Sequence, residues 1–430
     1  MNSNMTEQLD QLFRMWDRGL CPGAQVLIRQ HGKTLYEKCF GYGNLENKLK
    51  IHKESIFHVA SISKEFTVMS ILLLWKEGKL DLEDDIRKYL NEYINIETPI
   101  TIRQMMNNVS GLRDQWELLF LRGIKINDQI DMDDINTTIS LQKSLNFEPQ
   151  SQYLYSNTGF HLLALIVEKL SQMSFPQFVK ERIFTPLGMT HSFVRFTQIV
   201  PDLTYSYQDE GDDTFYYNPL NYALYGPTSV NTCASDLCKV LDEYIHPNVI
   251  DPEIIELMKK PVLLSNGKTA EYCGGLITHK LHGLDVFGHG GADAAYRGEI
   301  ICIPEKELEL VLISNTTTYA MSKLADKAAC IVLGLPDCTE PVVPEHENAP
   351  ARSGVFLTAL PDDPMFVDIT EQNGTFYMQR EWCRTELVKE EDGGYRIGSL
   401  DEKIYFTDKE ILYRLPARVL TLTPAKPADP

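Results

Sequence analysis

An α/β architecture follows from where strand and helix patterns fall along the 430 residues. Alternating apolar and polar residues mark strands near the start and again from about residue 273. The block from about 84 to 225 instead has helical periodicity and long loops, without strand signals. A Pro-rich stretch at 336–350 then precedes a run of short strand-like segments. The expected fold is an antiparallel sheet flanked by helices, with an all-helical insert at about 84–225 and a small C-terminal antiparallel β domain. Residues 1–335 make the large domain, 336–350 a linker and 351–430 the small domain, because a chain of this length exceeds what one hydrophobic core usually serves.

The N-terminal segment reads as an amphipathic helix with Leu9, Leu12, Phe13 and Trp16 on one face. AQVLIRQHGKTLYEKCFGYGN alternates around His31-Gly32-Lys33, a hairpin pattern. From Ser61 to Gly78 the period becomes helical, with Phe66, Met69, Leu72 and Leu73 apolar and Gly78 as a stop. IRQMMNNV and TGFHLLALIVEKLSQM are helical, while NVSGLRDQW and FTPLGMT read as turns. GGLITHKLHGLDVFGHGG and EIICIPEKELELVLISN return to hairpin and strand, and a helix at 319–333 closes the large domain. Beyond the linker, MFVDI, GTFYMQ, TELVKE, GYRIG and KIYFT are separated by turn residues.

A net charge of −19 with no clustered Lys and Arg argues against nucleic acid or an anionic membrane as partner. The longest apolar run, Val68 to Trp75, is far too short for a membrane span, and the N-terminus lacks a basic flank followed by an apolar core. The nine cysteines are odd in number and form no CxxC pair, which suits reduced thiols and a cytoplasmic protein. No His, Cys and Asp fall at ligand spacing and there is no phosphate loop, so neither metal nor organic cofactor is expected.

Candidate chemistry begins with the spacing SxxK, which occurs at Ser61/Lys64, Ser140/Lys143 and Ser265/Lys268. Only Ser61 opens a strongly apolar helix, where i and i+3 side chains share a face and a buried lysine can lose its proton and accept that of the serine. Tyr155-Ser156-Asn157 puts a phenol and an amide on a turn leading into a helix, a pairing suited to proton exchange and carbonyl binding. His289-Gly290-Gly291 ends a strand, where missing side chains let a substrate backbone approach. The amide N–H of Ala292 just beyond could join that of Ser61 as an oxyanion hole. Asp293 and Arg297 follow, able to read an ammonium and a carboxylate respectively, or to form an ordinary surface pair, or with Arg297 as a structural arginine at a strand start. Each element alone has a structural explanation: a helix cap, a packed tyrosine, a Gly-rich hairpin.

Together, HVASISKEFT, YLYSNTGFHLLALIVEKLSQMSFPQFVKERIFTPLGMTHS and GHGGADAAYRGEIICIPEKELELVLISN resemble the serine hydrolases that include class C β-lactamases, D-aminopeptidases and D-Ala-D-Ala carboxypeptidases. The resemblance spans about residues 8–335. It implies a β-lactamase-like fold, Ser61 as acylated nucleophile, Lys64 as proton acceptor, Tyr155 as general base or acid, and Asn157 as a contact to substrate or lysine. His289 stands where β-lactamases and penicillin-binding proteins usually carry lysine, which points to an amidase, peptidase or esterase. Asn107-Asn108-Val109-Ser110-Gly111-Leu112 resembles the family's His-Thr-Ser-Gly-Leu loop with Asn in place of His. The small C-terminal domain resembles the lipocalin-like appendage of some relatives. The implied activity is hydrolysis, through an acyl-enzyme, of small amides or esters, foremost D-amino-acid peptides. Acyl transfer to an amine in a biosynthetic pathway and a non-catalytic scaffold are the alternatives.

Overall fold

Residues Ala24–Gln30 (β1) and Lys33–Phe40 (β2) pair as the expected hairpin, and the turn between them uses His31 and Gly32 at positive φ, as a two-residue hairpin turn requires. They join Tyr272–Cys273 (β3), Leu276–Leu281 (β4), Leu284–Asp293 (β5), Tyr296–Ile303 (β6) and Leu308–Ser314 (β7) in one antiparallel sheet of order β3-β4-β5-β6-β7-β1-β2. The first hairpin thus docks on the last strand, β1 against β7, with Leu27 opposite Val311.

In this computed structural model the described residues are 3–125, 128–194, 199–210, 213–270, 272–317 and 321–336. In the C-terminal part they are 354–358, 366–372, 375–380, 383–390, 393–397, 403–406, 411–415 and 418–424. The chain divides into two compact units, Met1–Cys338 and Thr339–Pro430. The linker reading falls, from residue 337 on, outside the described residues.

Every residue of β7 is buried, because both faces of the sheet are covered. On one face Leu308, Leu310 and Leu312 pack with Leu9, Phe13 and Trp16 and with Ala325, Ala328 and Ala329 of the helix Met321–Leu333. On the other face Val311 and Ile313 meet a core built on the helix Ser63–Lys76. That helix buries apolar residues all around, from Phe66 to Leu74, which is why it lies inside the molecule.

The insert carries the helices Ile102–Met106, Gln115–Leu121, Met132–Ser140 and Asn157–Ser171. It is not all-helical: Tyr207–Asp209 pairs with Phe215–Tyr217, and Phe193–Val194 pairs with Val230–Thr232 just beyond it. These pairings are two or three residues long, too short for alternation to register in the sequence. The second unit is a closed barrel of strands in sequential order, Gly354–Thr358 closing on Arg418–Pro424. Among the described residues, no helix is long and apolar enough to cross a membrane.

Candidate active site

Ser61 sits in a 3₁₀ turn, Ala60–Ile62, that feeds the helix Ser63–Lys76. The helix proper thus starts two residues later than the spacing implied, with Ser61 still one turn from Lys64. Ala60, directly before the nucleophile candidate, has φ +48, a left-handed conformation that costs a non-glycine residue on the order of 1 kcal/mol or more. Neighbouring strands hold it there. Val59 N–H donates to Val230 O at 3.0 Å, and Val230 N–H donates to Ser63 Oγ at 3.0 Å.

Lys64 is fully buried, its Nζ 2.9 Å from Ser61 Oγ and 2.9 Å from the carbonyl oxygen of Pro227. The rings of Tyr155 and Phe160 lie 4.8 and 5.5 Å from the same nitrogen. Burial pushes the lysine down to about 7, against the opposing pull of the Asp293 and Asp114 carboxylates. A neutral amine that donates to Pro227 O keeps its lone pair for the Ser61 hydroxyl.

Tyr155 lies beside Ser61 and hydrogen-bonds with it. Burial raises its phenol well above the ordinary value, only partly offset by the Ser61 bond. The turn that carries it is clamped at two points: Ser156 N–H donates to Asn108 Oδ1 at 3.1 Å, and Asn157 N–H donates to Asp114 Oδ2 at 2.6 Å. The Asn107–Leu112 loop therefore positions the tyrosine. Asn107 itself ties that loop to β3–β4, accepting from Gly274 N–H at 2.7 Å.

For Asn157 the lysine half of the expectation is corrected: its side-chain amide donates to Asp114 Oδ2 at 2.9 Å, while among the described residues Lys64 Nζ bonds Ser61 and Pro227. Asp114 also accepts from Trp116 N–H as the cap of the helix Gln115–Leu121, so one buried carboxylate, its pKa raised by burial, organises both elements.

His289 is buried inside β5, which runs on through the glycine pair to Asp293 instead of ending there, and its ring centroid lies 6.1 Å from that of Tyr155. Its Nδ1 is 2.6 Å from Gly290 O, so Nδ1 carries the proton and Nε2, 3.1 Å from Tyr272 Oη, accepts from the phenol. Burial, helped by the nearby Lys64, pushes it down to about 3. The position therefore holds a neutral ring, with no cation to face a substrate carboxylate.

Asp293 accepts from His58 Nε2 at 2.9 Å and from Thr228 Oγ1 and Tyr222, with 19% of its side chain exposed. Burial alone would raise its carboxyl, but these bonds bring it below the ordinary value. Arg297 Nη1 donates to Ala294 O at 3.1 Å and Tyr296 O at 2.7 Å, so this end of its guanidinium braces the β5–β6 turn from which it springs.

The two glycines differ. A Cβ on Gly291 would lie 2.3 Å from Val59 O, so its absence lets β5 press against the Ser61 turn. A Cβ on Gly290 would meet only the flexible end of Glu299, at 2.8 Å. Gly291→Ala is expected to lower kcat/KM by roughly 10- to 100-fold through misplacement of the serine turn. Gly290→Ala should stay within about threefold of the parent, since only a side-chain carboxylate must move. Kinetics and melting curves of the two purified variants decide this; equal losses would show that the close approach at Gly291 is unimportant.

Several site residues were not singled out in the sequence. Thr228 and the Pro227 carbonyl come from a segment without a motif, and His58 opens HVASISKEFT without a role of its own being legible there. Asp114 lies two residues past Ser-Gly-Leu in NVSGLRDQW, a segment legible only as a turn. Elsewhere, His191, Cys233 and Asp236 bring ligand-type atoms within 4.8 Å of one another, a grouping that chain spacing did not reveal. The Asp236 carboxylate there is taken up by His191 N–H, Ser192 Oγ and Lys239 Nζ, each at 2.8 Å.

A sheet covered by helices, with a serine, a depressed lysine and a tyrosine converging at the start of a buried helix, defines a β-lactamase-related serine hydrolase. The chain belongs to the Beta-lactamase family, whose model matches residues 7–331. It is 28% identical to penicillin-binding protein 4* of Bacillus subtilis (strain 168), over 95% of each chain. It is 27% identical to a D-aminopeptidase of Gluconobacter oxydans (strain 621H), over 73% of this chain and 59% of that protein, so it spans about three fifths of that relative. Among solved structures, the octameric penicillin-binding protein homologue from Pyrococcus abyssi superposes with a TM-score of 0.68 at 22% identity, over 98% of this chain and all of that one, 100%.

Proposed function

We propose that the protein hydrolyses small amides and esters, D-amino-acid peptides foremost, through an acyl-enzyme on Ser61. The observation that carries this reading is the 2.9 Å approach of a buried Lys64, pushed down to about 7, to Ser61 Oγ. Neutral Lys64 takes the Ser61 proton as Oγ attacks the substrate carbonyl, and the N–H groups of Ser61 and Ala292 receive the oxyanion. Tyr155, held as a phenol by burial, donates to the departing amine or alkoxide as the C–N or C–O bond breaks, and Lys64 replaces that proton. Water then adds to the ester, loses a proton to the same pair, and Ser61 leaves with a proton restored. Asp293, partly exposed and ionised, suits the free ammonium of an amino-acid amide. The relative named as a D-aminopeptidase supports that substrate class.

The sign of the pH dependence follows. A general base works deprotonated, so kcat/KM should rise with pH through about 7 as Lys64 loses its proton in the free enzyme. On an ester without an amino group no descending limb is expected up to pH ~10, because Tyr155 is raised well above its ordinary value, and His289, down at about 3, adds nothing in this range; on an amino-acid anilide a fall above pH ~8 is expected as the substrate ammonium that Asp293 would hold is lost. A profile on p-nitrophenyl acetate and on D-alanine p-nitroanilide, together with fluorophosphonate labelling of Ser61, tests the reading. Rates flat between pH 5 and 9 (roughly the range in which a lysine near 7 must titrate) or a label on another residue would refute it.

A further inference from the structure

The insert holds a cavity of about 320 Å³ that the proposed chemistry does not use. It is lined by Arg113, Arg122, Lys143 and Gln142, with Leu121 and Leu141 beside them. This volume is at the small end of ligand pockets, which suits a ligand of modest size.

Two buried donors here lack acceptors. Arg113 Nε and Gln142 Nε2 are both buried without a hydrogen-bond partner, and Gln142 is only 4% exposed. Gln142 Oε1 is fixed by Arg113 N–H at 3.1 Å, which leaves the Nε2 end for the cavity. Arg113 Nη2 donates to Ser144 Oγ and Arg122 Nη1 to Thr138 Oγ1, both neutral acceptors. Among the described residues, none of the three cations is paired with a carboxylate, although the chain carries 60 acidic residues and a net charge of −19. Unpaired buried donors are rare because each costs free energy, so a set of them converging on one cavity asks for an anionic acceptor. The same cavity has an apolar edge: Leu121 and Leu141 are 58% and 59% exposed. Inorganic phosphate would meet the donors but leave those leucines in water.

We propose that this cavity binds a medium-chain aliphatic carboxylate, its head on Arg113, Arg122, Lys143 and Gln142 and its chain over Leu121 and Leu141. The test is calorimetric titration of the full chain with octanoate, octanol and inorganic phosphate, on the parent, on the double variant Arg122→Ala/Lys143→Ala and on Gln142→Leu. Saturable octanoate binding, roughly tenfold or more tighter than octanol or phosphate and weakened at least about tenfold in the double variant, is expected. The double variant should keep the parent's ester turnover and melting temperature, since both residues lie on the exposed surface, and Gln142→Leu should also bind octanoate more weakly. Absence of saturable binding, equal binding of octanol, or full octanoate affinity in the double variant with competitive inhibition of turnover would overturn the proposal, the last by placing octanoate at Ser61.

Discussion

Replacing Lys64 with methionine is expected to lower kcat/KM by roughly 10³- to 10⁵-fold, close to the loss in Ser61→Ala, because a serine hydroxyl without a proton acceptor is a poor nucleophile. The two losses should not add, since both side chains act in the same step. Stability moves the other way. Lys64 titrates near 10.5 when unfolded and about 7 when folded, so between these values the unfolded chain holds more protons. The sign is therefore that this group's cost to the fold is greatest at and below pH about 7 and fades as pH rises toward 10.5. Lys64→Met removes the cost and keeps the buried stem volume, so its melting temperature should exceed the parent's at pH 7 and converge with it near pH 10. Parallel kinetics and thermal scans check both halves. A variant that retained a tenth or more of parental kcat/KM, roughly what loss of a mere packing residue leaves, would end the assignment of Lys64 as base.

What was legible in the sequence is what the chain places close together. Ser61 and Lys64 share a helical turn, and Tyr155 and His289 each sit in a local motif, so their grouping needed only the right flanking text. The electrostatics needed the fold. Lys64 is held by the carbonyl of Pro227, and Asp293 by His58 and Thr228, partners 163, 235 and 65 residues away, which no periodicity encodes. Arg297 stayed open between two roles for a related reason: sequence puts an arginine after a glycine pair but cannot tell a guanidinium nitrogen bent back on its own turn from one aimed at a ligand. The sheet was legible because β1, β5 and β7 are long. The short pairings at 193–194 and 207–217 were not, since their stability comes from tertiary contact and not from their own pattern.

Asp114 is where fold and chemistry meet most closely, and Asp114→Ala should separate them. The carboxylate caps the helix Gln115–Leu121, accepts both the backbone N–H and side-chain amide of Asn157, and helps keep Lys64 protonated. Losing the cap costs about 1 kcal/mol, and leaving the Asn157 donors unpaired adds roughly 1–3 kcal/mol, so the melting temperature should fall. Turnover should fall by roughly 10- to 100-fold, mainly in kcat, because the Tyr155–Asn157 turn loses one of its two clamps while Asn108 remains. A purely structural role predicts nothing more. The electrostatic role does: with one of the two carboxylates gone, desolvation of Lys64 is less opposed, its proton leaves at lower pH, and the ascending limb of kcat/KM must move to lower pH. Asp114→Asn should show the same displacement while recovering part of the lost stability, as its amide oxygen can still accept from the helix N–H. Should the limb stay in place in both variants while the melting temperature falls, Asp114 is a cap and clamp only, and Asp293 alone supplies the counter-charge to Lys64.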